Sequence, residues 1–314
     1  MRVAAIQLEA EVAALDANLA ASERLGDEAG AAGAEVIALP EFFTTGIGFV
    51  PELIERALPS DGAAAELLLR LAERHRAFVG GSFLCRDADG EVRNAFLLAT
   101  PAGEIAGRHD KDLPTMWENC FYIGGNDDGV IDTDAGFTVG AAVCWEFMRT
   151  QTVRRLRGQV DLVVGGSGWW SIPERWGPPP LTRRLEANNA MTARTAIESF
   201  AGFVGAPVVH AAHAGELECA SPTLPMRYRG HFEGGAAVVD ADGTVLARRE
   251  YREGEGIVVA EVAPKRRSPV TEPPESFWLH RRGALPTLAW NVERLHGRRW
   301  YRRHNPRARA HTPG

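Results

Sequence analysis

The sequence predicts an α/β fold on a mixed β-sheet, and three observations carry that expectation. Short apolar runs alternate with helical stretches near the N-terminus and again in the middle of the chain, the pattern of strand–helix–strand crossovers. Asp-Gly and Pro-x-Gly breaks between extended runs place hairpins beside those parallel units. With 45% hydrophobic residues among 314, the chain can fill a large core without cross-links.

The elements follow in order. VAAIQL (3–8) reads as a strand, Asp16 to Gly33 as an Ala-rich helix with Asp16 as its N-cap, and EVIALP (35–40) as a strand parallel to the first. AAAELLLRLAERHR (63–76) repeats apolar residues at helical spacing. It is followed by FVGGSFLC (78–85), VRNAFLLA (92–99) and EIAGRHDK (104–111), an antiparallel meander turning at Asp89-Gly90 and Pro101-Ala102-Gly103. The second half resembles the first. FTVGAAVC (137–144), a polar helical stretch (148–158), VDLVVGG (160–166), a helix across 181–200 and FVGAPVVHAA (203–212) precede a hairpin on Asp242-Gly243 and a last strand, GIVVAEV (256–262). No linker-like composition appears before residue 264, so residues 1–264 read as one domain and 265–314 as an extension.

A formal net charge of −6 gives no whole-molecule field to recruit nucleic acid or an acidic membrane, so the expected partner is a small molecule. Cys85, Cys120, Cys144 and Cys219 lie far apart with no CxxC pair, and read as reduced thiols rather than disulfides or a zinc site. The first apolar run breaks at Gln7 and Glu9, too early for a signal segment or membrane span, and a cytoplasmic protein is the expectation. The extension is basic, with twelve Lys and Arg against three Glu, but it also carries Phe277, Trp278, Trp290, Trp300 and Tyr301. That mixture reads as a tail packed on its own body or on a sister subunit, with a nucleic-acid arm as the other reading.

Several residues could carry chemistry. Cys144 follows an apolar strand and precedes a helical stretch, a turn that exposes a side chain beside backbone N–H groups able to bind an oxyanion. Free cysteine is also among the most buried and inert residue types, so position alone leaves both readings open. Glu41 stands at another strand end beside Phe42 and Phe43, a setting that suits proton transfer but also an ordinary rim acid. Lys111 taken alone reads as solvated. Glu118 lies among Trp117, Phe121 and Tyr122, and Glu146 could point either way from its turn. His210 and His213 have the spacing of a helical metal pair, yet they fall in a strand-like run without adjoining acids and read as structural. Gly124-Gly125 and Gly234-Gly235 read as turns.

Taken together, ALPEFFTTG around Glu41, RHDKDLPTMWENC around Lys111 and AAVCWEFM around Cys144 resemble the nitrilase superfamily of carbon–nitrogen hydrolases, over about residues 1–262. Lys-x-x-Pro-Thr-x-x-Glu and Cys-Trp-Glu are similar to signatures of its nitrilase branch. Phe147, where nitrilases commonly carry Asn or His, and the aromatic- and proline-rich stretch 166–180 depart from that pattern.

The resemblance implies a four-layer αββα sandwich of two mixed sheets, with the site at strand ends. It implies that Glu41 takes the proton of Cys144, that Lys111 and the Trp145 N–H stabilise developing charge, and that Glu118 positions the substrate or Lys111. Trp117, Trp169 and Trp170 are expected around the substrate. No metal or organic cofactor is implied, and homo-oligomers are. The expected reaction is hydrolysis of a nitrile to an acid and ammonia, with an amidase or N-carbamoyl hydrolase as the alternative and a non-catalytic binding protein as a third reading.

Overall fold

Successive residues of each central strand face different layers, and this alternation sets the architecture. The computed structural model describes residues 1–173, 177–221, 227–269, 271–280 and 284–305. Residues 174–176 of the aromatic-rich stretch, and 270, 281–283 and 306–314 of the extension, lie outside the described residues.

The first half runs β1 (Arg2–Leu8), α1 (Leu15–Ala31), β2 (Val36–Glu41), β3 (Leu58–Pro59), α2 (Ala63–His75), β4 (Phe78–Arg86), β5 (Val92–Ala99) and β6 (Ile105–Asp110). The second runs β7 (Val130–Asp132), β8 (Thr138–Val143), α3 (Thr150–Leu156), β9 (Leu162–Ser167), α4 (Pro179–Val204), β10 (Val208–His213), β11 (Glu216–Ala220), β12 (Arg227–His231), β13 (Gly234–Val239), β14 (Val245–Glu250) and β15 (Gly256–Glu261). A last helix, α5 (Ala284–His304), lies in the extension.

The strands order as β6-β5-β4-β2-β1-β15 in one sheet and β7-β8-β9-β10-β13-β14 in the other. Among the described residues the sheets join where the ends of β1 and β10 pair, at Gln7 with Ala212 and Leu8 with His213. Each has three parallel strands linked by helical crossovers, then an antiparallel meander, so the repeated pattern in the sequence corresponds to two sheets of one plan.

Ala4, Ile6 and Leu8 of β1 pack with Leu25, Leu68 and Leu71 of α1 and α2, whereas Val3 and Ala5 pack with Val143, Val164, Val209 and Val238 of the opposite sheet. On the other side Val163, Val208 and Val239 meet Leu156, Phe200 and Val204 of α3 and α4. Helices, sheet, sheet and helices therefore form four layers, an αββα sandwich, each fully buried Leu or Val contributing about 1.5–3 kcal/mol. Gly166 sits where β9 meets the end of β2. A Cβ there would lie 2.7 Å from Pro40 Cα and 2.9 Å from the Ala211 carbonyl oxygen, so only glycine lets the sheets approach closely at Glu41.

Some expectations need correction. The N-cap of α1 is Ala14, not Asp16, which stands in the first turn where its charge still favours the helix dipole. Residues 203–204 end α4 rather than begin a strand, and Gly205 closes that helix at φ +78°. Gly234 and Gly235 open β13 instead of forming a separate turn. The β11–β12 hairpin went unread, although Leu217 and Cys219 alternate with exposed neighbours at period two.

The extension lies on the body. Arg266 pairs with Asp161, the Arg267 N–H donates to the Gly205 carbonyl, and Thr150 N–H and Leu279 N–H bond the carbonyls of Phe277 and Met148 at 3.2 and 2.9 Å. Gly297 of α5 abuts Asn119, and the Val92 N–H donates to the Tyr301 hydroxyl at 2.9 Å. Among the described residues no helix is long and apolar enough to cross a membrane.

Candidate active site

Three strand ends bring the site together. Glu41 is the last residue of β2, Lys111 follows β6, and Cys144 follows β8. All three side chains are buried, Glu41 and Lys111 completely. Lys111 Nζ donates to Glu41 Oε1 at 2.8 Å and to Glu118 Oε2 at 2.6 Å, so one ammonium bridges two carboxylates. Cys144 Sγ and a carboxylate oxygen from each of Glu41 and Glu118 lie within 4.8 Å of one another. The fold thus gathers four residues from positions up to 103 apart in the chain.

Each is held by its surroundings. Glu41 Oε1 also accepts from Asn94 Nδ2 at 2.9 Å, and its Oε2 accepts from the Gly168 N–H at 2.9 Å. His213 Nε2 bonds the Glu41 carbonyl at 2.6 Å. Glu118 sits in a 3₁₀ turn, Met116–Cys120, where its Oε2 accepts from the Thr115 N–H at 2.8 Å and from the Tyr122 hydroxyl. Among the described residues its other oxygen, Oε1, is buried without a hydrogen-bond partner. Asn94 and Gly168 escaped sequence reading, whereas Tyr122 was read only as an aromatic neighbour of Glu118 and His213 only as structural. The signal for Asn94 was a polar residue inside an apolar strand, and for Tyr122 its place one helical turn beyond Glu118.

Cys144 has φ +53°, a left-handed conformation that costs a non-glycine residue about 1–3 kcal/mol and is found where structure presents a functional side chain. It opens a 3₁₀ turn, Cys144–Met148, ahead of α3. Glu146 points away from the thiol. Its Oε2 accepts from the Val143 N–H at 2.8 Å and bonds His109 Nε2 at 2.9 Å, and its Oε1 accepts from the Asp112 N–H at 3.1 Å. Since His109 lies two residues before Lys111 and Glu146 two after Cys144, this pair fixes cation against thiol.

The electrostatics follow from burial and these partners. Burial and the Glu41 carboxylate push the Cys144 thiol well above its usual pKa, so the resting site holds a thiol hydrogen-bonded to a carboxylate. Burial opposes the charge of Lys111, but Glu118 and Glu41 outweigh it and hold the ammonium well above the ordinary lysine range. Burial raises the Glu118 carboxyl, with Lys111 offsetting part of the rise. For His109, burial is outweighed by Glu146 and Asp127, which raise it to about 8.

A raised histidine pKa stabilises the fold fully below the unfolded value near 6.5 and loses that contribution as pH rises through the folded one. Denaturant midpoints are therefore expected to fall between about pH 6.5 and 8.5 in the wild type. The fall should be largely absent in His109→Gln; an unchanged decline in that variant would assign it to another group.

The tryptophans divide. Trp145 packs against Trp169, Trp278 and Trp290 at ring-centroid separations of 6.1, 5.6 and 5.4 Å. Trp170 turns the other way and packs on Trp117 with the rings tilted, centroids 4.7 Å apart. Phe147, the departure from the nitrilase pattern, is turned into the layer of α4 against Phe200 and His210. His210 and His213 both lie within β10, where a spacing of three puts them on opposite faces. His210 bonds Ser167 Oγ at 2.8 Å, and burial lowers it to about 3. Glu186, His231 and Glu233 come close enough for a cation, with Glu233 raised to about 8 by burial and by Glu186.

Comparison with known proteins agrees with this geometry. A family model described as carbon–nitrogen hydrolase matches residues 2–271. The chain is 26% identical to a nitrilase of Pyrococcus abyssi over 71% of its own length and 86% of that protein's. It is 27% identical to an omega-amidase of Escherichia coli over 69% of its length and 73% of the relative's. Among solved structures, a carbon–nitrogen hydrolase from Helicobacter pylori G27 superposes with a TM-score of 0.69 at 18% identity, covering 84% of this chain and 90% of that one, a likeness of fold. With the family match spanning Glu41, Lys111, Glu118 and Cys144, this chain belongs to the carbon–nitrogen hydrolases of the nitrilase superfamily and is an enzyme of that class.

Proposed function

We propose that this enzyme hydrolyses a small organic nitrile to a carboxylic acid and ammonia through a covalent bond to Cys144. The observation that supports it best is the sealed convergence of thiol, carboxylate and ammonium. The thiol is protonated at rest, so attack requires the proton to pass from Sγ to Glu41 as the S–C bond forms. Charge moves from Glu41 to the substrate nitrogen, next to the Lys111 ammonium, in a pocket where water does not screen it. Glu41 passes that proton on to the nitrogen, giving a thioimidate and restoring the carboxylate. A first water then adds and ammonia leaves, giving a thioester. A second water, activated by Glu41, releases the acid and restores the thiol.

In this reading Trp145 contributes its backbone N–H, and its ring, with Trp169, walls the acyl side. Trp117 and Trp170 support the Glu118 turn from behind. The similarity of Lys111 to Glu118 and of Cys144 to Glu146 to nitrilase signatures favours the nitrile. One observation supports an amide instead. The unpartnered Glu118 Oε1 would accept an N–H from a bound amide, whereas a nitrile has none until it becomes the thioimidate.

Ammonia release from matched nitriles and amides separates the two. The nitrile reading predicts release from nitriles in the wild type and none in Cys144→Ala, a loss of about 10⁴-fold or more because the covalent route is gone. Release from amides alone would replace the nitrile with the amide, and undiminished turnover by Cys144→Ala would remove the mechanism.

A further inference from the structure

Beside the Trp145 ring, between the extension and the loop that follows Lys111, lies a groove of about 300 Å³. That is the lower end of the size range of small-molecule pockets, enough for one aromatic ring with a short chain. Leu113, Trp278 and Trp290 give it apolar walls, and Asn291 and Arg294 of α5 give it a polar one. Trp278 and Trp290 are the same rings that pack on Trp145, directly after the nucleophile. Leu113 stands two residues beyond Lys111.

The polar wall is cationic. Among the described residues Arg294 makes no ion pair, whereas Arg108, Arg155, Arg248 and Arg266 are committed to acids. Arg298 and Arg302 follow it at four-residue spacing, and their proximity adds to burial in lowering Arg298. A planar guanidinium in a groove with aromatic walls matches a flat apolar body that ends in a carboxylate, which it can hold through two parallel hydrogen bonds. Trp278, Trp290 and Arg294 all lie beyond residue 271, where the family match ends, so this recognition belongs to the extension and not to the shared catalytic body.

We propose that the groove is the subsite for the distal end of the substrate, and that the preferred nitrile or amide carries an aryl group with a carboxylate remote from the reacting carbon. The inference rests on the hydrolytic reading above for the reacting end alone. Strapping of residues 277–279 to residues 148–150 just beyond the nucleophile's turn keeps the two ends in register.

The test compares 4-carboxyphenylacetonitrile and 4-carboxyphenylacetamide with their uncharged parents, in the wild type, Arg294→Gln and Arg294→Lys. The wild type should show the lower KM for the carboxylates. Arg294→Gln should raise that KM about tenfold or more while leaving kcat and the uncharged parents within about twofold, and Arg294→Lys should recover part of the loss. Equal changes on charged and uncharged substrates, or none, would overturn the subsite.

Binding is read separately, by tryptophan fluorescence with 4-carboxyphenylacetate, which needs no turnover. Saturable quenching lost in Arg294→Gln supports the groove even if no substrate of the panel is hydrolysed, in which case the hydrolytic reading alone fails. Hydrolysis without discrimination through Arg294, or no saturable quenching by the folded wild type, removes the subsite and leaves the chemistry standing.

Discussion

Lys111→Met is expected to lower stability by on the order of 3–5 kcal/mol at neutral pH and to abolish measurable hydrolysis, because it leaves two buried carboxylates without their shared cation. Glu41 Oε1 and Glu118 Oε2 both accept a hydrogen bond from Nζ, at 2.8 and 2.6 Å, and both side chains are fully buried. Asn94, Gly168, Thr115 and Tyr122 still donate to them, which bounds the loss but does not cancel the charge. The pH dependence gives the sign. Without the ammonium, burial and the neighbouring Glu41 carboxylate raise the Glu118 carboxyl further in the folded state. Its protonation then stabilises the fold at low pH, and this is lost as pH rises through the raised value. The variant should therefore be closest to the wild type near pH 5 and furthest from it near pH 8, as urea unfolding at both would measure. A uniform deficit would mean the cation matters for packing and not for charge.

Glu41→Gln is expected to keep the fold and reduce kcat by about 10²–10⁴, the usual contribution of a positioned general base. Gln can accept through only one of its two terminal atoms, whereas Glu41 accepts from Lys111 and Asn94 on one oxygen and from Gly168 on the other. The amide therefore satisfies the larger group and sets an NH₂ against one donor. More important, it takes no proton from Cys144, whose thiol is already pushed up by burial. Alkylation of Cys144 by iodoacetamide should slow along with turnover, since both need the proton to leave. Rapid alkylation in a variant that no longer hydrolyses would show that Glu41 acts on a later step.

Residues differ in how plainly the sequence displays this site. Glu41 and Cys144 end apolar runs, and a strand tip at the carboxyl end of a sheet is where a fold of this kind places reactive groups. Lys111 has no such context. Its neighbours are polar and its burial depends on Glu118 and Glu41, one supplied by a turn downstream and the other by a different strand. Only the chain order of Glu, Lys and Cys singles it out. Asn94, Gly168 and His213 reach Glu41 across 53, 127 and 172 residues of chain, and no local pattern encodes such pairings.

The four layers show the same limit. Apolar runs disclose that strands are buried on both faces, but which face meets helices and which meets the other sheet is decided by packing. The extension displayed its tryptophans and arginines openly. That Trp278 and Trp290 would land on Trp145 could not be read, because a bridge between Arg149 and Trp278 sets it.

The most direct test is to mix enzyme with a nitrile or amide that it turns over, quench in acid within the first turnovers, and measure the intact mass. The account predicts a transient gain equal to the acyl or imidoyl group, mapped to the peptide that contains Cys144 and absent from Cys144→Ala. Turnover that continues in Cys144→Ala, or an adduct that maps to Cys85, Cys120 or Cys219, would contradict it.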